Sequence, residues 1–210
     1  MIGIVDYGVG NLFSLRCSFE AIGQECTVSS DAQTLAACDK LILPGVGAFG
    51  DAADKLRETG LDRLVIDQAN KGKPLMGVCL GMQLLFENSE EFGLHQGLGL
   101  LKGRVVGMQG RLKPEYKIPQ IGWNGLHFPK NKPVHPLFAQ LREGDCVYFV
   151  HSFFAVDCED SLIASTEYDL EITAAAAKGN VCGCQFHPEK SGEVGLNILR
   201  AFCRMEGGTL

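Results

Sequence analysis

Several features are missing from this 210-residue chain, and each absence narrows what it can do. There is no excess of positive charge: 19 Lys and Arg stand against 25 Asp and Glu, a formal net charge of −6. That balance suits solubility and argues against a nucleic-acid partner. No apolar run approaches the length of a membrane span, so no membrane association is expected. The opening Met1-Ile-Gly-Ile-Val-Asp6 has no basic region and no cleavage pattern, and reads as a first core strand rather than a signal peptide. Cysteine is plentiful, with nine residues, but no two are spaced C-x-x-C. Zinc-ribbon and thioredoxin-type sites are therefore not expected, and free thiols in a reducing cytoplasm are the simplest reading. Cys182, Cys184 and His187 find no fourth ligand at suitable spacing, so no metal is expected. Gly8 and Gly10 follow a strand, yet position 13 is Phe where a dinucleotide fingerprint needs glycine. Pro44-Gly-Val-Gly47 has no following lysine and is not a phosphate loop. No cofactor is expected. With no internal repeat or linker, residues 1–210 are expected to form one domain.

The segments that are present alternate between strand and helix. Strands are predicted at 2–5, 26–29, 40–43 and 75–78, and helices at 12–22, 50–58 and 61–70. Asn11 is placed to cap the first helix, where Leu12, Leu15, Phe19 and Ile22 share a face. Short links between alternating elements favour a wound α/β fold with a central, mostly parallel sheet flanked by helices. Residues 97–136 break the pattern with many Gly and Pro residues. β-prone pieces at 103–106, 121–128 and 147–152 predict a small antiparallel β insertion in the second half. Further strands are expected at 162–165, 172–177 and 181–186, and a last helix at 194–205.

Two segments carry chemistry. Pro74-Leu-Met-Gly-Val-Cys-Leu-Gly-Met-Gln-Leu-Leu-Phe86 contains Gly77-x-Cys79-x-Gly81 between an apolar run and a helix-compatible run. That is the layout of a nucleophile elbow with cysteine as nucleophile. The sharp turn needs small neighbours, and it sets the sulfur at a helix N-terminus, where free amides favour a thiolate. The same residues would also suit a buried core cysteine between packing glycines. The second segment, Val181-Cys-Gly-Cys-Gln-Phe-His187-Pro-Glu189-Lys-Ser191, reads as a strand running into a turn. Proline pushes His187 toward extended geometry, and residues two apart in an extended segment point the same way. His187 and Glu189 are then side by side, giving nucleophile, base and orienting acid in the order Cys, His, Glu.

Gly-Val-Cys79-Leu-Gly-Met-Gln and Gln-Phe-His187-Pro-Glu189-Lys-Ser resemble the triad (class I) glutamine amidotransferases. Asp6-Tyr-Gly-Val-Gly-Asn11, Leu43-Pro-Gly-Val-Gly-Ala-Phe49, Gly122-Trp-Asn124 and Tyr148-Phe-Val-His-Ser152 narrow the resemblance. It is to glutaminase subunits that serve a separate cyclase in histidine biosynthesis, and it spans essentially the whole chain. It implies glutamine as substrate and Cys79, His187 and Glu189 as the triad. The backbone of Leu80 and of Val46 or Gly47 would form the oxyanion site, although 44–47 also reads as an ordinary turn. Gln83, Glu91 and Ser152 would hold the substrate, with Glu91 alternatively a solvated acid. The implied partner is a (β/α)8-barrel cyclase in a heterodimer, making imidazole glycerol phosphate and aminoimidazole carboxamide ribotide. Asn11, Trp123, Tyr148 and Lys190 would meet it, with Trp123 alternatively a core residue and Lys190 a solvated charge. His95, His127 and His135 have no motif around them, and His151 is given no proton-transfer role. A paralogous amidation pathway would share these motifs. An inactive regulatory subunit would not need the intact triad.

Overall fold

The computed structural model describes residues 1–208. In chain order, β1 (Ile2–Val5), α1 (Leu12–Ala21), β2 (Cys26–Ser29), α2 (Ala32–Ala37), β3 (Lys40–Leu43), α3 (Phe49–Glu58), α4 (Leu61–Asn70), β4 (Leu75–Val78) and α5 (Leu80–Leu84) form the first half. Then come β5 (Asn88–Ser89), β6 (His95–Gln96), β7 (Arg104–Gly107), β8 (Gln120–Gly125), β9 (Cys146–His151) and β10 (Phe153–Val156). β11 (Leu162–Tyr168), β12 (Leu170–Lys178), β13 (Val181–Cys184) and α6 (Gly192–Arg204) complete the chain.

Seven strands make the main sheet in the order β11-β12-β13-β4-β3-β1-β2. The run from β13 to β2 is parallel, and β11 and β12 add antiparallel to its end. β4 lies at the middle with all four residues buried, which is why it reads as an unbroken apolar run. Alternate residues feed two cores. Leu75 packs with Leu41, Leu43, Phe49, Val65 and Phe86 on one face. Met76 and Val78 pack with Leu15, Phe19, Phe149, Phe186, Leu199 and Phe202 on the other. Both faces are thus sealed, and function is confined to the sheet's carboxyl edge.

The insertion is two small sheets: the antiparallel pair β8-β9 and a four-stranded sheet β10-β7-β5-β6 whose β5-β7 pair is parallel. Helix α2, strand β10 and the two-residue strands β5 and β6 were not foreseen, being too short to show a period. Asn11 occupies the N-cap position of α1 as expected, but its side chain makes no cap bond and instead donates from Nδ2 to Glu189 Oε1 at 3.4 Å. The last strand ends at Cys184, two residues early. Gln185 N still donates to Ala174 O at 2.8 Å, and the chain then turns away to deliver His187.

Candidate active site

Cys79 sits where β4 gives way to α5, with φ 54° and ψ −111°. A non-glycine residue held there costs about 1–3 kcal/mol, so its surroundings must over-determine it. They do. Cys79 N donates to Cys184 O at 2.8 Å, tying the elbow to β13. A Cβ on Gly81 would lie 1.8 Å from the Leu43 carbonyl oxygen, and one on Gly77 2.6 Å from Gly81 O. Both elbow glycines are required by backbone contact, which resolves the packing-glycine alternative into a single structure: the glycines pack, and the packing creates the elbow.

Parallel pairing of β13 with β4 brings His187 to the same edge. His187 N donates to Tyr148 O at 3.0 Å. Ser191 Oγ donates to His187 O at 2.6 Å and accepts from Tyr148 N at 3.0 Å. His187 Nδ1 meets Glu189 Oε1 at 2.7 Å, and both side chains are sealed, at 2% and 1% exposure. His187 is extended as expected, but residues Pro188–Lys190 form a single 3₁₀ turn. Turn geometry, rather than an extended strand, folds the carboxylate back onto the imidazole.

Burial lowers the basicity of His187. Hydrogen bonding to the Cys79 sulfur and to Glu189, with the negative charge of both, more than reverses this and raises it from 6.5 to about 9. A buried imidazolium flanked by sulfur and carboxylate is thus favoured at neutral pH. Elsewhere burial pushes thiols up, Cys182 to about 12 and Cys203 to about 11, which removes them as nucleophiles.

A cavity of about 450 Å³ opens over the sulfur, lined by Cys79, Leu80, Val46, Gly47, His187 and Ser152 among others. The expected oxyanion residues are therefore brought together. Segment 44–47 is anchored from below: the buried Tyr7 hydroxyl donates to Pro44 O at 2.8 Å. Burial, then the charge of Cys79, raises the Tyr7 pKa well above the usual phenol range, so the hydroxyl keeps its proton as a donor.

The expected substrate residues also line this cavity. Gln83 is less free than expected, because its amide nitrogen donates to Phe153 O at 2.9 Å and to Gln185 Oε1 at 3.0 Å. Its carbonyl oxygen is what it can offer a ligand. Glu91 is buried rather than solvated. Burial raises its pKa against the pull of the Phe49 amide, which donates to its Oε2 at 2.7 Å. Glu91 thereby ties the cavity wall to the N-terminus of α3. Its neighbour Glu90 is the exposed acid, paired with Arg104.

Trp123, Tyr148 and Lys190 cluster at the rim. Trp123 is 56% exposed, so it is not a core residue. Its ring meets Tyr148 edge-on at 6.1 Å, and Lys190 Nζ lies 5.9 Å from the Tyr148 ring centre. Asn11 reaches the same corner through Glu189. Three residues escaped sequence reasoning. Tyr7 and Ser191 lie inside the Asp6–Asn11 and Val181–Ser191 motifs, but only the fold reveals their partners. Gln185 is fully buried and donates from Nε2 to Cys79 Sγ at 3.8 Å. Its place two residues before His187 was the available signal.

A mostly parallel α/β sheet thus presents a cysteine at a strand–helix elbow, with a sealed His–Glu pair at the same edge. The chain belongs to the glutamine amidotransferase class-I family, whose model matches residues 4–205. A Geobacillus sp. (strain WCH70) protein named imidazole glycerol phosphate synthase subunit HisH is 50% identical over 99% of this chain and 98% of its own length. A Bacillus subtilis (strain 168) protein of the same name is 47% identical over 98% of this chain and 96% of its own. Among solved structures, PurLQS from Thermotoga maritima aligns with TM-score 0.74 at 23% identity, covering 96% of each chain. A crystal structure of a glutamine amidotransferase aligns with TM-score 0.74 at 17% identity, covering 96% of this chain and 98% of that one. These last two likenesses concern the fold. Among the described residues no helix is long and apolar enough to cross a membrane.

Proposed function

We propose that this chain, as a single domain in the cytoplasm, hydrolyses glutamine to glutamate and ammonia on a Cys79–His187–Glu189 triad. The observation that carries the reading is the sealed His187–Glu189 pair beside a cysteine held in a strained elbow. The Cys79 sulfur attacks the substrate's carboxamide carbon, and the thiol proton resides on His187. The tetrahedral oxyanion is met by the Leu80 amide and an amide of Val46 or Gly47, each donor contributing roughly 10²- to 10³-fold in rate. His187 then protonates the departing ammonia, leaving a thioester. Water, deprotonated by His187, cleaves the thioester to glutamate and restores the thiol. Glu189 holds the imidazole with Nε2 toward the sulfur. Gln83 Oε1, the free oxygen of Glu91, and Ser152 hold the amino-acid end of glutamine.

Ammonia released into water would be protonated and lost, so a capturing partner is required. The names of the similar Geobacillus and Bacillus proteins support a synthase subunit of histidine biosynthesis. The partner is then a (β/α)8-barrel cyclase in a heterodimer, which uses the ammonia to form imidazole glycerol phosphate and aminoimidazole carboxamide ribotide. Asn11, Trp123, Tyr148 and Lys190 form part of the docking rim, an exposed aromatic and a cation being common interface anchors. Partner binding favours the orientation of 44–47 in which an amide points at the oxyanion; Gly47, at φ 92° with open space around its Cα, permits that flip. The test is glutamate formation with and without the cyclase and its nucleotide. Strong stimulation by both together is expected, and equal rates for the free subunit and the liganded complex would refute the partner-dependent part.

A further inference from the structure

The stretch Ser89-Glu-Glu-Phe-Gly-Leu-His95 is a hairpin: Ser89 pairs with His95 across β5 and β6, and residues 90–94 form the loop between them. Both feet of the loop stand on the first turn of α3. Glu91 Oε2 accepts from the Phe49 amide at 2.7 Å. The His95 ring lies over Gly50, where a Cβ would come within 2.6 Å of its Cε1. Glu91 N also donates to Ser89 Oγ at 3.2 Å. The base of the loop is therefore fixed, and its tip is Phe92-Gly93-Leu94.

That tip combines exposure with strain. Phe92 is 88% exposed and Leu94 71%, so large apolar side chains stand in water. Phe92 also has φ 55°, a left-handed conformation that is an outlier for a bulky residue. Its aromatic contact, an edge-on meeting with Phe153 at 6.3 Å, leaves the ring open. Strained residues of this kind gather at ligand clamps. The position of Phe92 indicates the ligand. Phe92 and Phe153 both line the cavity that contains Cys79, Glu91 and Ser152. Phe153 is a firm wall, because its ring rests against Gly107, where a Cβ would lie 3.3 Å from it. Glutamine held with its amino-acid end at Glu91 and its carboxamide at Cys79 spans the cavity with its methylene groups. Those groups have no hydrogen bonds to make and gain only from apolar cover. Phe92 directly follows Glu91, so its ring stands at one end of that span.

We propose that Phe92 is a substrate-positioning residue: its ring, braced by Phe153, covers the methylene stem of bound glutamine and holds water off it. This rests on the glutaminase reading for the identity of the substrate, but the binding it describes does not require turnover. The full chain is therefore alkylated at Cys79 with two reagents, a chloroketone analogue of glutamine and iodoacetamide, which lacks the amino-acid stem. The wild type should react saturably with the analogue. In Phe92→Ala the ratio of the analogue rate to the iodoacetamide rate should fall at least roughly tenfold, through weaker binding of the analogue. Phe92→Tyr, which keeps the ring, should restore most of that ratio. An unchanged ratio in Phe92→Ala would overturn the proposal, whether both rates fell together, as in a disturbed elbow, or the variant only bound the cyclase less tightly, as at a docking anchor. Glycine adopts φ 55° without strain, so Phe92→Gly should show the same loss of ratio with a Tm within about 2 °C of the wild type. A larger drop in Tm would mean that the ring serves packing, and would also overturn the proposal. A wild-type protein that takes the analogue saturably at Cys79 but hydrolyses no glutamine would sink the reaction and leave the role of Phe92 standing. One that shows no saturation with the analogue would overturn both.

Discussion

Replacing Glu189 with glutamine keeps the shape of the His187–Glu189 pair and removes its carboxylate charge. The magnitude follows from His187, whose imidazole is carried from 6.5 to about 9 by Cys79 and Glu189 despite burial. That difference corresponds to about 3 kcal/mol of preference for the protonated form in the folded state, with little solvent screening at 2% exposure. The native state binds this proton more tightly than the unfolded chain. The stabilisation is therefore complete below 6.5 and is lost as the pH rises through about 9. In Glu189→Gln the imidazole keeps its burial penalty and its Cys79 partner but loses the carboxylate, so the Glu189 share of this gain disappears. Urea melts of both proteins at about pH 6 and about pH 10 should show the wild type losing up to about 3 kcal/mol of its advantage between the two. Groups that titrate in both proteins cancel in the difference. Glutamine hydrolysis should fall roughly 10³- to 10⁴-fold, as expected when the orienting acid of a triad is neutralised. A stability difference that is constant with pH would refute the assignment of the raised basicity to Glu189.

Other outcomes follow from single contacts. Gly81→Ala forces a Cβ against the rigid Leu43 carbonyl, so a loss of about 3 kcal/mol or more is expected, seen as a Tm drop of about 6–12 °C; an unchanged Tm would mean that the elbow is softer than its contacts indicate. Tyr7→Phe strips a buried donor from Pro44 O, costing about 1–3 kcal/mol and lowering kcat more than it raises KM; a pure KM effect would argue that Tyr7 does not support the oxyanion segment. Gln185→Glu keeps an acceptor for Gln83 but sets a carboxylate where an amide donated to the sulfur, so alkylation of Cys79 by iodoacetamide should slow by about tenfold or more. An unaltered rate would deny Gln185 a role in presenting the nucleophile.

The central sheet was legible in the chain because β1, β3 and β4 are short apolar runs bounded by turn residues, and because α1, α3 and α4 carry clear helical periods. The elbow and the His–Glu pair were legible because their glycines and proline are dictated by backbone geometry. What stayed hidden depends on contacts between distant segments. Glu91 is at 46–49's side of the cavity because its carboxylate meets the Phe49 amide, and nothing near position 91 announces that. The Tyr7–Pro44 bond joins residues 37 apart, and the Gln185–Cys79 contact residues 106 apart. Asn11 holds the N-cap position that its local context indicates, but its side-chain partner, Glu189, arrives from the other end of the chain. The two-residue strands β5 and β6 escaped for a similar reason: they have no period, and pairing alone creates them.

The proposed triad rests on Cys79, and the decisive measurement is the behaviour of Cys79→Ala in complex with the proposed cyclase partner. Production of glutamate from glutamine should be abolished, while synthesis from added ammonium salt should proceed at the wild-type rate, because the substitution removes the nucleophile and leaves the docking rim intact. Continued glutamine hydrolysis at an appreciable rate would show that another group performs the attack and would contradict the triad.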